Sequence, residues 1–303
     1  MKTIAIKEFG STDQLREMEM EKPSIKDDQV LIEVHAFSIN PVDCKRRSGK
    51  MGGKLPMVLG GDVAGIVSEI GTNVTNVKPG DRVFANASKT YAEYARSRAE
   101  VTIKIPDKLS FVEAAAIPLA GQTAWEALID KGQLRDNEKV LIHAGAGGVG
   151  SLAIQIAKHY KAYVISTASE KNKAFLTSLG VDHFIDYNKE DFEKIVSDVD
   201  LVLDPLGGKT QEKSFTVLKK GGRLVSLVQE PNETTLKELG IIGIIFSMTP
   251  TSERLQTLAD LLTSGKIKAI VSQTYPFTEE GVREAHEQSE TGHTRGKIVI
   301  KVK

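Results

Sequence analysis

The densest chemical signal in the chain is Val140-Leu-Ile-His-Ala-Gly-Ala-Gly-Gly-Val-Gly150. Its glycines follow the spacing Gly145-x-Gly147-x-x-Gly150. Glycine allows a tight turn and lets the backbone approach a ligand with no Cβ in the way. A helix opening just after such a turn presents free N–H groups and a partial positive charge to an anion. Glycines at this spacing alone are weak evidence. Between a β-branched apolar run and an amphipathic helix they predict a cradle for the diphosphate of a dinucleotide. Ala144, Gly145, Gly147, Gly148, Val149 and Gly150 are its candidate contacts.

A second group lies about 20 residues on, where an NAD site usually places an acid against the ribose hydroxyl. Here the segment reads Ile165-Ser-Thr-Ala-Ser-Glu-Lys171, with no acid at the strand end itself. Ser166, Thr167 and Lys171 offer hydroxyls and an ammonium, which suit a 2′-phosphate that a carboxylate would repel. NADPH is therefore the expected cofactor. Glu170 runs against this reading unless it points to solvent from a first helical turn.

The surrounding pattern supplies the elements that hold these residues. Val140–His143 reads as a buried strand, and Val149, Leu152, Ala153, Ile156 and Ala157 recur at helical spacing. Strands are expected at Ala162–Thr167, Phe184–Ile185, Asp200–Asp204 and Arg223–Val228, with a helix over Lys171–Leu179. Strand–helix alternation predicts βαβ units and a parallel sheet covered on both faces. The chain before residue 115 differs. Short strands at Val30–Val34, Val63–Ile70 and Arg82–Ala85, with the turn Lys78-Pro-Gly-Asp81, suggest a compact β-rich domain. Ile241–Phe246 is an apolar strand. A helix follows from about Ser252, its N-cap, with Leu255, Leu258, Ala259 and Leu262 on one stripe. From about residue 269 strand-and-turn character returns. The expected class is α/β: a Rossmann doubly wound parallel-sheet domain over 118–265, inserted in a β-rich domain made of 1–117 and 266–303.

Composition removes several classes. Forty basic and forty acidic side chains among 303 residues cancel, so no global field draws nucleic acid or an anionic membrane. Cys44 is the one cysteine, so no internal disulfide exists and no Cys/His group has zinc-site spacing. No stretch approaches the roughly 20 apolar residues of a membrane span, and the first residues lack a signal-peptide pattern. A cytoplasmic enzyme is expected. His143 reads as packed or hydrogen-bonded at its strand end. His35, His159, His183, His286 and His293 read as structural or exposed, Cys44 as a buried free thiol, and Lys45-Arg46-Arg47 as a solvated face.

The motifs together resemble the zinc-free quinone oxidoreductases of the medium-chain dehydrogenase/reductase superfamily, the zeta-crystallin-like group. The resemblance rests on Asn40-Pro-Val-Asp43, Gly60-Gly-Asp-Val-Ala-Gly-Ile-Val67, Gly71, Gly80-Asp-Arg-Val83, Gly121-Gln-Thr-Ala124, the 144–150 turn and Gly292-His-Thr-Arg-Gly-Lys-Ile-Val-Ile300. It covers nearly the whole length. It implies a GroES-like catalytic domain beside the Rossmann domain, with the active site in the cleft between them. It also implies NADPH as hydride donor and a homodimer paired through the strand resembling Ile241–Phe246. Asn40, Thr123, Ser166, Lys171 and Tyr187 stand at positions resembling cofactor contacts. The zinc alcohol dehydrogenases of the superfamily use a Cys and a Gly-His-Glu as ligands. Here Asn40 and Gly60-Gly61-Asp62 stand instead, and the four-cysteine lobe is missing, so no metal is expected.

The expected reaction is hydride transfer to a quinone, with protonation from water. Such acceptors are already electron-poor, so proximity and orientation supply most of the acceleration. An alkenal or enone double-bond reductase is the alternative. A non-catalytic nucleotide- or RNA-binding protein is the alternative of another class, because members of the group have lens-structural and RNA-binding roles. Asn40 is the candidate catalytic side chain, weighed against a plain turn role before Pro41. Asp43 reads as a local cap.

Overall fold

A computed structural model describes residues 1–303. The chain forms two compact units, one of residues 1–120, 250–265 and 269–303, the other of 121–249 and 266–268. The expected second boundary at 265 therefore moves to 249. The helix Ser252–Thr263 packs with the β-rich unit, against the strand Thr102–Lys104. Its apolar stripe is real, with Leu255, Leu258 and Ala259 buried. Amphipathicity shows that a helix has a face to bury but not which unit receives it. Its N-cap is Thr251, not Ser252, with the threonine side chain accepting from the Arg254 N–H.

In the β-rich unit, the long strand Gln29–Ile39 is central. It pairs antiparallel with Asp62–Ile70, Tyr94–Arg98 and Lys297–Lys301. The seven-stranded sheet runs Val271–Pro276, Lys297–Lys301, Gln29–Ile39, Asp62–Ile70, Arg82–Asn86 and Thr102–Lys104, with Tyr94–Arg98 off that path. Ile4, Ile32, Phe37, Tyr91, Phe277 and Ile300 build its core. Gly65 is required where two strands close together, because a Cβ there would lie 2.0 Å from Glu33 O.

The second unit carries a six-stranded parallel sheet. Its order is His183–Asp186, Tyr163–Ala168, Lys139–Ile142, Val199–Asp204, Leu218–Ser226 and Ile242–Ile245. The strand order reverses beside Lys139–Ile142, the switch point at which doubly wound sheets bind ligands. Leu141, Ile165, Ile185, Val202 and Leu224 form its core. These apolar residues sit on strands covered on both faces, which is why the sequence reads as unbroken apolar runs there.

Two elements depart from the sequence expectation. The segment after 269 is not only strand and turn, since Glu279–Glu290 is a helix capped by the Thr278 side chain, which accepts from the Gly281 N–H at 3.0 Å. The helix is so polar that only Gly281, Val282, Ala285 and His286 mark its buried face. The expected helix Lys171–Leu179 opens with a 3₁₀ turn, Glu170–Asn172, before the α-helix Lys173–Ser178.

Candidate functional site

In the second unit, the strand Lys139–Ile142 ends beneath the glycine turn, and the helix Gly148–His159 starts above it with Gly147 as its N-cap. Ala144 takes a left-handed φ of 50°, and its carbonyl accepts from the Gly147 N–H at 2.9 Å. Gly145 donates its N–H to Thr167 O at 3.1 Å, tying the turn to the neighbouring strand. Each glycine has a different steric reason. A Cβ on Gly145 would lie 1.9 Å from Ser166 Oγ, and one on Gly150 would lie 2.4 Å from Ala144 O. A Cβ on Gly147 meets only Ala144 O, at 3.3 Å, so that glycine leaves room on the outer side. The first N–H groups of the helix have no intrahelical acceptor and point out of its start. Ala144, Gly147, Gly148 and Val149 are part-exposed there, while Gly145 and Gly150 are buried.

The hydroxyls beside this turn face inward. Ser166 is fully buried and donates to Ile142 O at 2.8 Å, directly under Gly145. Thr167 is 3% exposed, and its Oγ1 lies 3.0 Å from His143 Nδ1. Both therefore prop the turn from below, with their hydroxyls bonded to Ile142 O and beside His143 Nδ1. Lys171, on the 3₁₀ turn Glu170–Asn172, and Tyr187, just past the strand His183–Asp186, are exposed. Thr123 is half-buried on the helix Pro118–Trp125.

His143 is fully enclosed, with Nε2 2.9 Å from Ser214 Oγ. Burial pushes its pKa down to about 4, against a smaller opposing pull from the Asp204 charge. Asp204, also buried, organises the next strand end. Its Oδ1 accepts from the Leu206 and Gly207 N–H groups at 2.9 Å, and its Oδ2 from Gln211 Nε2 at 3.1 Å. That loop holds Leu206 54% exposed, and Val228 is 45% exposed beyond the adjacent strand. Two exposed apolar side chains at the carboxyl edge of a parallel sheet, beside the glycine turn, are suited to a flat ring. Sequence reasoning missed Asp204, Leu206 and Val228. The Gly207-Gly208 pair opening a helix after a strand was the available signal.

In the β-rich unit, Asn40 sits at the end of Gln29–Ile39 and precedes the helix Pro41–Arg47. Its backbone N–H donates to Asp43 Oδ2 at 2.9 Å, so Asp43 caps the helix start. Burial raises the Asp43 pKa to about 6, partly offset by that hydrogen bond. The Asn40 side chain is 3% exposed. Its Nδ2 donates to Asp62 Oδ2 at 2.8 Å, and its Oδ1 accepts from the Lys297 ammonium. Lys297 also donates to Ile39 O at 3.1 Å and lies 3.7 Å from Asp62. Asp62 further accepts from Ser38 Oγ at 2.5 Å and the Leu119 N–H at 2.8 Å. A buried ion pair survives only when hydrogen bonds satisfy both ends, and this one has them. Burial nonetheless lowers the Lys297 pKa, with Asp62 opposing. No group of three or more His, Cys, Asp or Glu side chains is placed to hold a metal ion.

Beneath this network Tyr91 Oη lies 2.9 Å from His286 Nε2, and His286 Nδ1 lies 3.4 Å from Cys44 Sγ. Burial lowers His286 to about 3 and raises Cys44 to about 11. Both are core groups, neutral at pH 7. Arg47 is not part of a solvated face. It is 3% exposed and pairs with Glu290 at 2.6 Å, because the helix Pro41–Arg47 packs on Glu279–Glu290.

Residues 26–107 match a family model described as an alcohol dehydrogenase GroES-like domain, and residues 179–300 match one described as a zinc-binding dehydrogenase. A 2-methylene-furan-3-one reductase of Solanum lycopersicum is 39% identical over 99% of this chain and 79% of its own length. A quinone oxidoreductase of Homo sapiens is 33% identical over 99% of this chain and 97% of its own. The crystal structure of Escherichia coli quinone oxidoreductase complexed with NADPH superposes with a TM-score of 0.92, at 29% identity and full coverage of both chains. No helix is long and apolar enough to cross a membrane. Motif order, a GroES-like unit, a doubly wound sheet with its glycine turn and full-length similarity agree, and the chain belongs to the quinone oxidoreductases of the medium-chain dehydrogenase/reductase superfamily.

Proposed function

We propose that this chain reduces quinones, or α,β-unsaturated carbonyls, by zinc-independent hydride transfer from NADPH. The observation that carries the reading is the glycine cradle, where Cβ atoms at Gly145 and Gly150 have no room and the outer side at Gly147 stays open. Gly147, Gly148 and Val149 would hold the diphosphate, with Lys171 and Tyr187 beside the adenine ribose. Leu206 and Val228 would line the nicotinamide end. NADPH supplies two electrons as hydride, and a proton from water completes the hydroquinone or the saturated carbonyl. The protein's part is to orient donor and acceptor and to exclude water between them.

Zinc does not fit the residues present. At Asn40 and Asp62 the polar space already holds a cation, the Lys297 ammonium. A carboxamide oxygen and one carboxylate are also a poor donor set for zinc, which prefers Cys and His. Asn40 remains the candidate for contact with the nicotinamide amide or the substrate carbonyl, through the second hydrogen of its fixed Nδ2.

We also propose a cytoplasmic homodimer. The strand Ile242–Ile245 is an edge of its sheet, with Ile242 50% and Ile245 37% exposed, and an apolar edge favours strand pairing with a second copy. Nucleotide titration followed by turnover tests the whole reading. We expect tighter binding of NADPH than of NADH, then NADPH oxidation with quinones or enones that a zinc chelator leaves unchanged. Protein that binds neither nucleotide would end it. The relative rates on the two acceptor classes choose between quinone and enone.

A further inference from the structure

We infer that Lys189, which no motif marks, selects NADPH over NADH by neutralising Glu170 and meeting the 2′-phosphate. This rests on the proposed cofactor site. The strands Tyr163–Ala168 and His183–Asp186 are parallel neighbours, with Ala168 in register with Asp186. The segments that follow them, from Ser169 and from Tyr187, therefore emerge side by side. In a doubly wound fold, the end of the second strand is where the adenine ribose is read.

Glu170 stands at that place. It is the acid that would favour NAD, accepting from a ribose hydroxyl and repelling a phosphate. Here it is not alone, because Lys189 Nζ lies 3.2 Å from Glu170 Oε2 and 3.7 Å from Asp186 Oδ2. The Lys189 pKa is raised, first by the Glu170 hydrogen bond and charge, so the ammonium stays protonated at neutral pH.

The turn that carries Lys189 is held by its own hydrogen bonds. Asp186 Oδ1 accepts from the Asn188 N–H and Nδ2 at 3.1 Å. The Lys189 and Glu190 N–H groups both donate to Asp186 O at 2.9 Å, and Glu190 Oε2 accepts from the Asp186 N–H. Tyr187, 52% exposed, and Lys189, with a side chain 65% exposed, thus share one rigid tip. The carboxylate of Asp186 is already met by Asn188, so Glu170 is the acid whose charge Lys189 chiefly answers. A dianionic phosphate beside Glu170 would bring a third negative group to the tip. The Lys189 ammonium offsets the repulsion that Glu170 would exert on the phosphate and offers it a charge-assisted contact worth more than one to a hydroxyl.

The test is a double-mutant cycle read as equilibrium Kd for NADPH and for NADH by nucleotide fluorescence. Lys189→Gln should weaken NADPH about tenfold, which is ~1.4 kcal/mol, while NADH changes little or tightens. Glu170→Gln should tighten NADPH. The double variant should fall between Lys189→Gln and the wild type, because the second change removes the acid left unopposed but does not restore the lost ammonium–phosphate contact. The NADPH Kd should also depend less steeply on salt in Lys189→Gln. If wild type prefers NADPH and Lys189→Gln keeps that preference, this inference alone fails. If wild type does not distinguish the nucleotides, the reading of the phosphate site fails with it.

Discussion

At the scale of single residues, the three glycines of the turn should separate experimentally. Gly150→Ala drives a Cβ to 2.4 Å from a backbone carbonyl, so it should lower both the melting temperature and NADPH affinity. Gly147→Ala meets Ala144 O at 3.3 Å, which a small shift relieves. It should keep the melting temperature near wild type and still weaken NADPH by about tenfold or more, since a methyl then stands where the diphosphate approaches. Equal losses of stability in the two variants would contradict this. The buried histidines make a second residue-scale prediction. His143 falls to about 4 and His286 to about 3 in the folded chain. Unfolded, each takes up a proton near the ordinary value of 6.5. The folded state then binds fewer protons, so their contribution to stability is full above pH 6.5 and is lost as pH falls from there towards 3. Asp43, raised to about 6, works the other way between pH 6 and its ordinary value near 4. With two histidines against one aspartate, the melting temperature should fall on acidification below pH 6.5. His286→Asn should show a shallower slope, whatever its absolute stability.

At the scale of elements, the helix Glu279–Glu290 is the clearest case of tertiary context deciding local structure. Its sequence offers a weak apolar stripe, and its stop and start signals are a threonine cap and Gly292. Thr278→Ala should cost about 1 kcal/mol in a denaturant titration, the usual value of an N-cap, with NADPH affinity unchanged. The parallel strands were legible for the opposite reason. Val140–Ile142 and Leu201–Leu203 are uninterrupted apolar runs bounded by glycine and polar turns, and such runs have few alternatives to a buried strand. The Ser166 and Thr167 contacts were not legible. A strand alternates its side chains between faces, but both faces of this one are covered, and only the fold decides that its hydroxyls meet Ile142 O and His143 Nδ1.

At the scale of the whole molecule, two proposals are open to direct measurement. Ile245→Lys, placed on the outer edge strand, should convert a dimer into a monomer in sedimentation velocity while leaving the monomer folded. An unchanged sedimentation coefficient would place the interface elsewhere. Asp62→Asn probes the Lys297 network. It removes the nearest counter-charge of the buried ammonium, and losing one partner of a buried pair typically costs about 3–5 kcal/mol. The variant should therefore unfold at markedly lower denaturant concentration than wild type, by circular dichroism, with zinc giving no rescue.

The α/β class, the glycine turn and the mostly β amino-terminal part were legible in the chain alone, because each is written in contiguous residues: a glycine spacing, an apolar period, a run of short strands and turns. Folding alone set the contacts between residues from separate elements. It sent the helix Ser252–Thr263 to the β-rich unit, brought Lys297 onto Asn40 and Asp62, turned Arg47 inward to Glu290, and set Lys189 against Glu170. Such pairings follow from strand register and packing across long loops, and no local propensity encodes which distant partner a charged side chain will meet.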